Sequence, residues 1–145
     1  MGRRIEQVHI MFLGENAQTP SHTYRGDSGY DLCCARETLI PPHSFADVPS
    51  DIAVAFPEGI WGRIAGRSST LRKRGLLVSE AIIDQGYTGP LFTGVWNLTS
   101  EQVVVKVGER ISQLILQEVV EVEWVMAAEL PSRDRGGFGF GSTGS

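Results

Sequence analysis

The sequence predicts an all-β domain, a jelly-roll-like antiparallel sandwich or barrel, followed by a glycine-rich C-terminal arm. Three observations carry this. Apolar and β-branched residues fall in short runs that alternate or stay apolar for only a few positions, as strands do. The seven prolines and seventeen glycines lie mainly between those runs, where they punctuate turns. Composition then changes at Pro131. Residues 1–130 therefore read as one β domain and residues 131–145 as an arm.

The elements follow in order. Val8, Ile10 and Phe12 alternate with His9 and Met11, the pattern of a half-buried strand. Residues 51–56 and 60–65 are two further strands, separated by a Pro57-Glu-Gly59 turn. Residues 68–74 form the one helical candidate, short and polar, with Ser68, Ser69 and Thr70 as capping candidates. Strands then follow over 91–97, 102–107 and 111–124, with turn signals at Leu98-Thr-Ser100 and at Gly108. Ile111, Ile115, Val119, Val120, Val122 and Val125 favour strand over helix in the last of these.

Bulk composition narrows the class. At 145 residues the chain fits one domain with a real core. A formal charge of −4 argues against a broad nucleic-acid footprint. No apolar run approaches the ~18–20 residues of a membrane span, and the N-terminus lacks the apolar stretch of a signal peptide. Cys33 and Cys34 are adjacent, a spacing unsuited to a disulfide between them, so core packing in a reducing compartment is their expected role. These points predict an intracellular, cytoplasmic protein with neither a membrane nor a nucleic-acid partner.

The last eleven residues carry the most chemistry. Five are Gly, which lets backbone N–H groups approach an anion closely. Arg135 adds a planar fork of donors suited to phosphate, Ser142 and Thr143 add hydroxyls, and Phe140 offers a flat face to a base. Such an arm is expected to be mobile when empty and ordered when a nucleotide binds.

Four further blocks precede it: Gly26-Asp-Ser-Gly-Tyr-Asp-Leu32, Gly66-Arg-Ser-Ser69, Ala81-Ile-Ile-Asp-Gln-Gly-Tyr-Thr-Gly89 and Gly108-Glu-Arg-Ile-Ser-Gln-Leu114. All five blocks, in this order and at these intervals, resemble the trimeric all-β dUTPase family, and the resemblance runs from about residue 5 to the end. It implies a jelly-roll subunit, a homotrimer with shared active sites, Mg²⁺ as cofactor, and hydrolysis of dUTP to dUMP and pyrophosphate. That reaction limits uracil in the nucleotide pool and supplies dUMP for dTMP synthesis.

Site residues follow block by block. Asp31 is similar to the family carboxylate that contacts Mg²⁺ through water, and a carboxylate suits an ion that retains waters. Arg67, Ser68 and Ser69 resemble the segment that holds the triphosphate; their mixture of cation, hydroxyls and helix start suits an anion. Asp84 resembles the carboxylate that orders the attacking water, and Gln113 an amide that holds this water or a phosphate oxygen. Ala81 and Ile83 belong to the hairpin whose backbone reads uracil. Tyr87 resembles the aromatic that packs on the deoxyribose and leaves no room for a 2′-hydroxyl. In the arm, Arg135, Gly141, Ser142 and Thr143 resemble the phosphate contacts, and Phe140 the base-stacking ring.

Arg110 and Asn97 read as structural, and Arg72, Lys73 and Arg74 as a solvated face. The sequence departs from the family pattern at Gly66, Ser69, Ala81, Gly86 and Phe138, where Pro, Gly, Gly, an acidic residue and Gly are common.

Rival chemistries find less support. The related dCTP deaminases resemble the chain in a Gly-Arg-Ser-Ser-like block, but Gly94 stands where they need Glu. A zinc site lacks Cys-x-x-Cys, and His9, His22 and His43 have no metal-ligand spacing. A serine hydrolase lacks the Gly-x-Ser-x-Gly elbow. A second, regulatory role through a protein partner stays open, because an arm that orders on binding could hide or expose a surface.

Overall fold

The computed structural model describes residues 5–141, and among these it is an antiparallel β structure with one short helix. In chain order the elements are β1 (His9–Phe12), β2 (Gly29–Cys33), β3 (Thr38–Ile40), β4 (Phe45–Ala55) and β5 (Ile60–Gly66), then α1 (Ser68–Arg74). After the helix come β6 (Leu76–Ser79), β7 (Ala81–Ile83), β8 (Pro90–Asn97), β9 (Val103–Val105) and β10 (Arg110–Glu118). Two four-stranded sheets, ordered β1-β4-β8-β6 and β2-β10-β5-β7, make the sandwich, and β3 pairs with β9 in a small third sheet. The expected jelly-roll-like, all-β class is what forms.

Alternation explains why the sheets close on each other. Ile60, Gly62 and Ile64 of β5 point inward, as do Leu91, Thr93, Val95 and Asn97 of β8. Their inward faces feed two core clusters. One gathers Leu32, Ile52, Val54, Phe56, Ile64 and Leu114 among others. The second gathers Cys34, Ile40, Val48, Leu76, Val95, Val105 and Ile111. One polar contact joins the sheets inside this packing, a 2.6 Å hydrogen bond between the buried hydroxyls of Thr93 and Ser112. Each satisfies the other, so neither carries the cost of an unpaired buried hydroxyl.

Asn97 ties the end of β8 to its surroundings. Its fully buried amide donates to the carbonyls of Ile40, Pro41 and Glu101 at 3.1, 3.1 and 2.8 Å. Its carbonyl oxygen accepts from the backbone N–H and hydroxyl of Thr99. This is the structural role its sequence position suggested. Asn97→Ala strands several buried backbone groups at once, with an expected loss of about 3 kcal/mol, read as a lower urea midpoint at unchanged slope.

Several expectations change. The strand β1 forms, but Ile10, Met11 and Phe12 are exposed at 38, 61 and 52%; among the described residues β1 is an edge strand, paired with β4 alone. The strand expected over 111–124 ends at Glu118. Residues 120–130 keep their β-branched content but are exposed and find no strand partner among the described residues. The helix matches its expected bounds, yet its N-cap is Arg67 and no side chain caps it. Thr70 instead donates to the Ile111 carbonyl at 3.1 Å and pins the helix to β10. At the other end Gly75 takes the left-handed conformation, φ 66°, that commonly stops a helix. Strands β2, β3, β6 and the first half of β4 were not expected.

Candidate active site

Asp31 is the centre of the first site. Its strand, β2, pairs with β10, which sets Asp31 opposite Gln113. The carboxylate is buried and already partnered: Arg67 Nε lies 2.9 Å from Oδ1, Arg110 Nε 3.9 Å from Oδ2, and the Thr23 hydroxyl donates to Oδ2. Arg67 is held a second time, donating from Nη1 to the Arg110 carbonyl at 3.2 Å. Gln113 donates to the Gly66 carbonyl at 2.9 Å, just before the Arg67-Ser68-Ser69 segment. A Cβ at Gly29 would collide with the Gln113 amide, so the glycine lets this side chain lie across β2. Gly29, Asp31, Arg67 and Gln113 line a cavity of about 270 Å³ with Thr23, Tyr24, Asp27, Ser28, Ser68 and Ser69.

Arg110 thus has the structural role expected of it, ion-paired at the start of β10. Cys33, beside Asp31, contributes no nucleophile: burial is the main cause that raises its thiol above the ordinary value, and the same holds for Cys34. A raised thiol stays protonated at neutral pH and attacks poorly.

Asp84 and Tyr87 lie in a second cavity of about 230 Å³, lined by Ile82, Ile83, Asp84, Tyr87, Pro90, Leu91 and Phe92. The loop between β7 and β8 is tied down at several points. Tyr87 N–H donates to the Asp84 carbonyl at 3.0 Å, and Gln85 accepts from Gly59 N–H at 2.7 Å. The Tyr87 hydroxyl donates to the Pro90 carbonyl at 2.8 Å. The Tyr87 ring lies over Gly89, where a Cβ would come within 2.6 Å of its hydroxyl. Ile83 is buried in the core and Ala81 packs against it, so neither of these two side chains is directed at solvent. Ile82 is the exposed member of the trio, at 58%.

The two cavities do not meet. Sheet order β2-β10-β5-β7 puts Asp31 and Ile83 on opposite edge strands. Register adds an offset, since Gln113 opposes Ala65 while Ile83 opposes Gly62. With strands ~4.8 Å apart and ~3.3 Å per residue, Asp84 is roughly 15–20 Å from Asp31 and Gln113 of the same chain.

The arm lines neither cavity among its described residues. Arg135 Nε donates to the Phe138 carbonyl, whose own N–H returns a bond to Arg135 O at 3.0 Å. Phe140 is fully exposed and Gly141 has φ 84°. Ser142 and Thr143 fall outside the described residues.

A family model described as dUTPase matches residues 15–144, nearly the whole chain. The chain belongs to the dUTPase family. It is 42% identical to the deoxyuridine 5'-triphosphate nucleotidohydrolase of Solanum lycopersicum over 91% of the chain and 78% of that protein. It is 39% identical to that of Yarrowia lipolytica, over 94% and 88%. Among solved structures it resembles a mutant Staphylococcus bacteriophage 80alpha dUTPase with dUpNHpp, at a TM-score of 0.88 and 26% identity, covering 97% of this chain and all of that one. A phage phi11 dUTPase mutant, described with a structural Mg(II) ion, shares the fold at 24% identity and a TM-score of 0.78.

Within this dUTPase framework the structure adds partners that spacing did not assign. Thr23 and Arg110 hold Asp31, Gln85 and Gly59 brace the Asp84 loop, and Phe92 lines the cavity beside Tyr87. Arg74 is not a solvated charge: it pairs with Glu109 and donates to the Val104 carbonyl at 2.9 Å. Gln85 and Arg110 lie inside the sequence blocks, Gly59 in a turn and Phe92 in a strand, whereas Thr23 gave no sequence signal.

Proposed function

We propose that this dUTPase-family enzyme hydrolyses dUTP to dUMP and pyrophosphate in a site that no single chain completes. The observation that carries the reading is the separation of the two cavities. A reacting oxygen must come within about 3–3.5 Å of phosphorus, and Asp84 is several times farther than that from the phosphate-binding groups of its own chain. A homotrimer resolves this by setting the Asp84 cavity of one copy against the Asp31 cavity of another. The exposed apolar side chains of β1 and of residues 120–130 supply surface that such an assembly would cover.

The division of labour follows from the donors present. Arg67, Ser68, Ser69 and Gln113 bind the triphosphate. Main chain around Ala81 and Ile83 reads uracil, and Tyr87 packs on the deoxyribose. Asp84 takes a proton from water as its oxygen attacks the α-phosphorus. The arm then closes, with Phe140 over the base and Arg135, Gly141, Ser142 and Thr143 on the phosphates. Rate acceleration comes from positioning and charge stabilisation rather than a covalent intermediate.

The residues present suit Mg²⁺ in one particular way. Asp31 is a single carboxylate already shared with two arginines, and no group of three metal-ligating side chains exists among the described residues. That set fits an ion that keeps its waters and is shared with substrate phosphates, not an all-protein cage. Asp31 would hold it through water, and when bound it would neutralise phosphate charge. The proposed setting is cytoplasmic, with dUMP passing to dTMP synthesis.

The test is pyrophosphate release with dUTP, dTTP, dCTP and UTP in parallel. Release from dUTP alone is expected. Equal release from dTTP or UTP would remove the base-reading hairpin or Tyr87 from the assignment, and dUTP bound but uncleaved would favour a regulator over an enzyme.

A further inference from the structure

A third cavity, of about 480 Å³, shares Arg67 and Ser69 with the triphosphate cavity and continues past them between α1 and the turn into β10. Lys73, Arg74 and Arg110 also line it. Four cationic side chains therefore face one space. Two carboxylates answer them: Asp31, against Arg67 and Arg110, and Glu109, against Arg74. The balance is two positive charges in excess. Arg74 is fixed by Glu109 and by the Val104 carbonyl; Lys73 is exposed on the helix. Nothing in the assignment of dUTP to the first two cavities uses Lys73 or Arg74.

We propose that this cleft receives the pyrophosphate product and carries it away from the reaction centre, an inference that rests on the dUTP-hydrolysis reading. The chemistry asks for such a place. Water oxygen bonds to the α-phosphorus while the bond from that phosphorus to the α,β-bridging oxygen breaks. The electron pair stays on that oxygen, and the water proton passes to Asp84 and then to solvent. The leaving group thus gains negative charge, and Arg67 and Ser69, the two residues common to both cavities, join the triphosphate space to this cleft. An adjoining space with surplus positive charge lowers the energy of that anion and gives it a way out that does not lead back through the nucleotide. Because the cleft is open to water, its hold is weak, as release demands.

The test compares the full-length protein with Lys73→Ala, Lys73→Glu and Lys73→Arg, titrated by calorimetry with pyrophosphate and separately with dUpNHpp. Lys73→Ala is expected to weaken pyrophosphate about fivefold, and Lys73→Glu more, with Lys73→Arg near the parent. Affinity for dUpNHpp should move less than about twofold on the same scale. The constant for product inhibition by pyrophosphate should rise in parallel. Unchanged pyrophosphate affinity in Lys73→Glu would overturn the proposal. So would an equal loss for both ligands, which would place Lys73 on the substrate phosphates. Absence of turnover with dUTP would sink the enzymatic reading separately, since the pyrophosphate titration needs no catalysis.

Discussion

Replacing Asp84 with Asn leaves dUTP bound and lowers kcat by about 10³-fold, the scale on which a positioned base contributes, or about 4 kcal/mol in the barrier. The substitution keeps the size of the side chain and its capacity to hydrogen-bond. The loop around it is held by Tyr87 N–H on the Asp84 carbonyl, Gln85 on Gly59 and the Tyr87 hydroxyl on Pro90, none of which uses the Asp84 carboxylate. The loss should therefore appear in kcat with KM little changed, the signature of a contact made in the transition state. Turnover equal to the parent would take Asp84 out of the mechanism. The same variant also tests site sharing. Mixed with an Arg67→Ala variant under conditions that let copies exchange, it should recover part of the activity if each site draws Asp84 and Arg67 from different chains. No recovery would return both residues to one chain and contradict the separation of the cavities.

Deleting residues 135–145 should lower kcat/KM by about 10³-fold or more, because under the proposed function one deletion removes the stacking ring, a phosphate-binding arginine and the exclusion of water together. Folding should be almost indifferent to it. Phe138 and Phe140 bury little surface, and Arg135 spends its Nε donor on the Phe138 carbonyl inside the arm. The expected thermal midpoint is within about 2 °C of the full chain. An active truncated protein would make the arm dispensable, and a collapsed one would assign it to the fold.

What could be read from the sequence depended on which physical signal a residue leaves. Strand β5 and helix α1 were legible because periodicity and a closing glycine are local properties. Strand β4 was half missed: Pro49, Ser50 and Asp51 interrupt its apolar pattern, and Asp51 takes φ 54° at a shift in register between Pro49 and Ala53. Its carboxylate is nonetheless matched, 3.0 Å from Arg36. The excess length given to β10 has the opposite cause. Residues 119–124 have the composition of a strand, but a strand also requires a neighbour, and composition does not report one. In the site, the blocks named the residues but not their partners. That Gly29 makes room for Gln113, or Gly89 for the ring of Tyr87, depends on contacts across strands and within a loop that no spacing rule encodes. The split into two cavities is likewise a property of sheet order.

Under the proposed function, the ion pair between Arg67 and Asp31 would make the empty site selective against small anions. A guanidinium already leaning on a buried carboxylate offers a newcomer only the difference between two attractions. Inorganic phosphate, with at most two charges, gains little by competing for it, and the dUMP left after reaction gains little more. A triphosphate has enough charge to engage Arg67 and its neighbours together, and so would displace Asp31 where the smaller ions would not. The carboxylate would thereby act as a threshold on charge number, keeping the site from filling with inorganic phosphate and reclaiming the arginine once the product has gone.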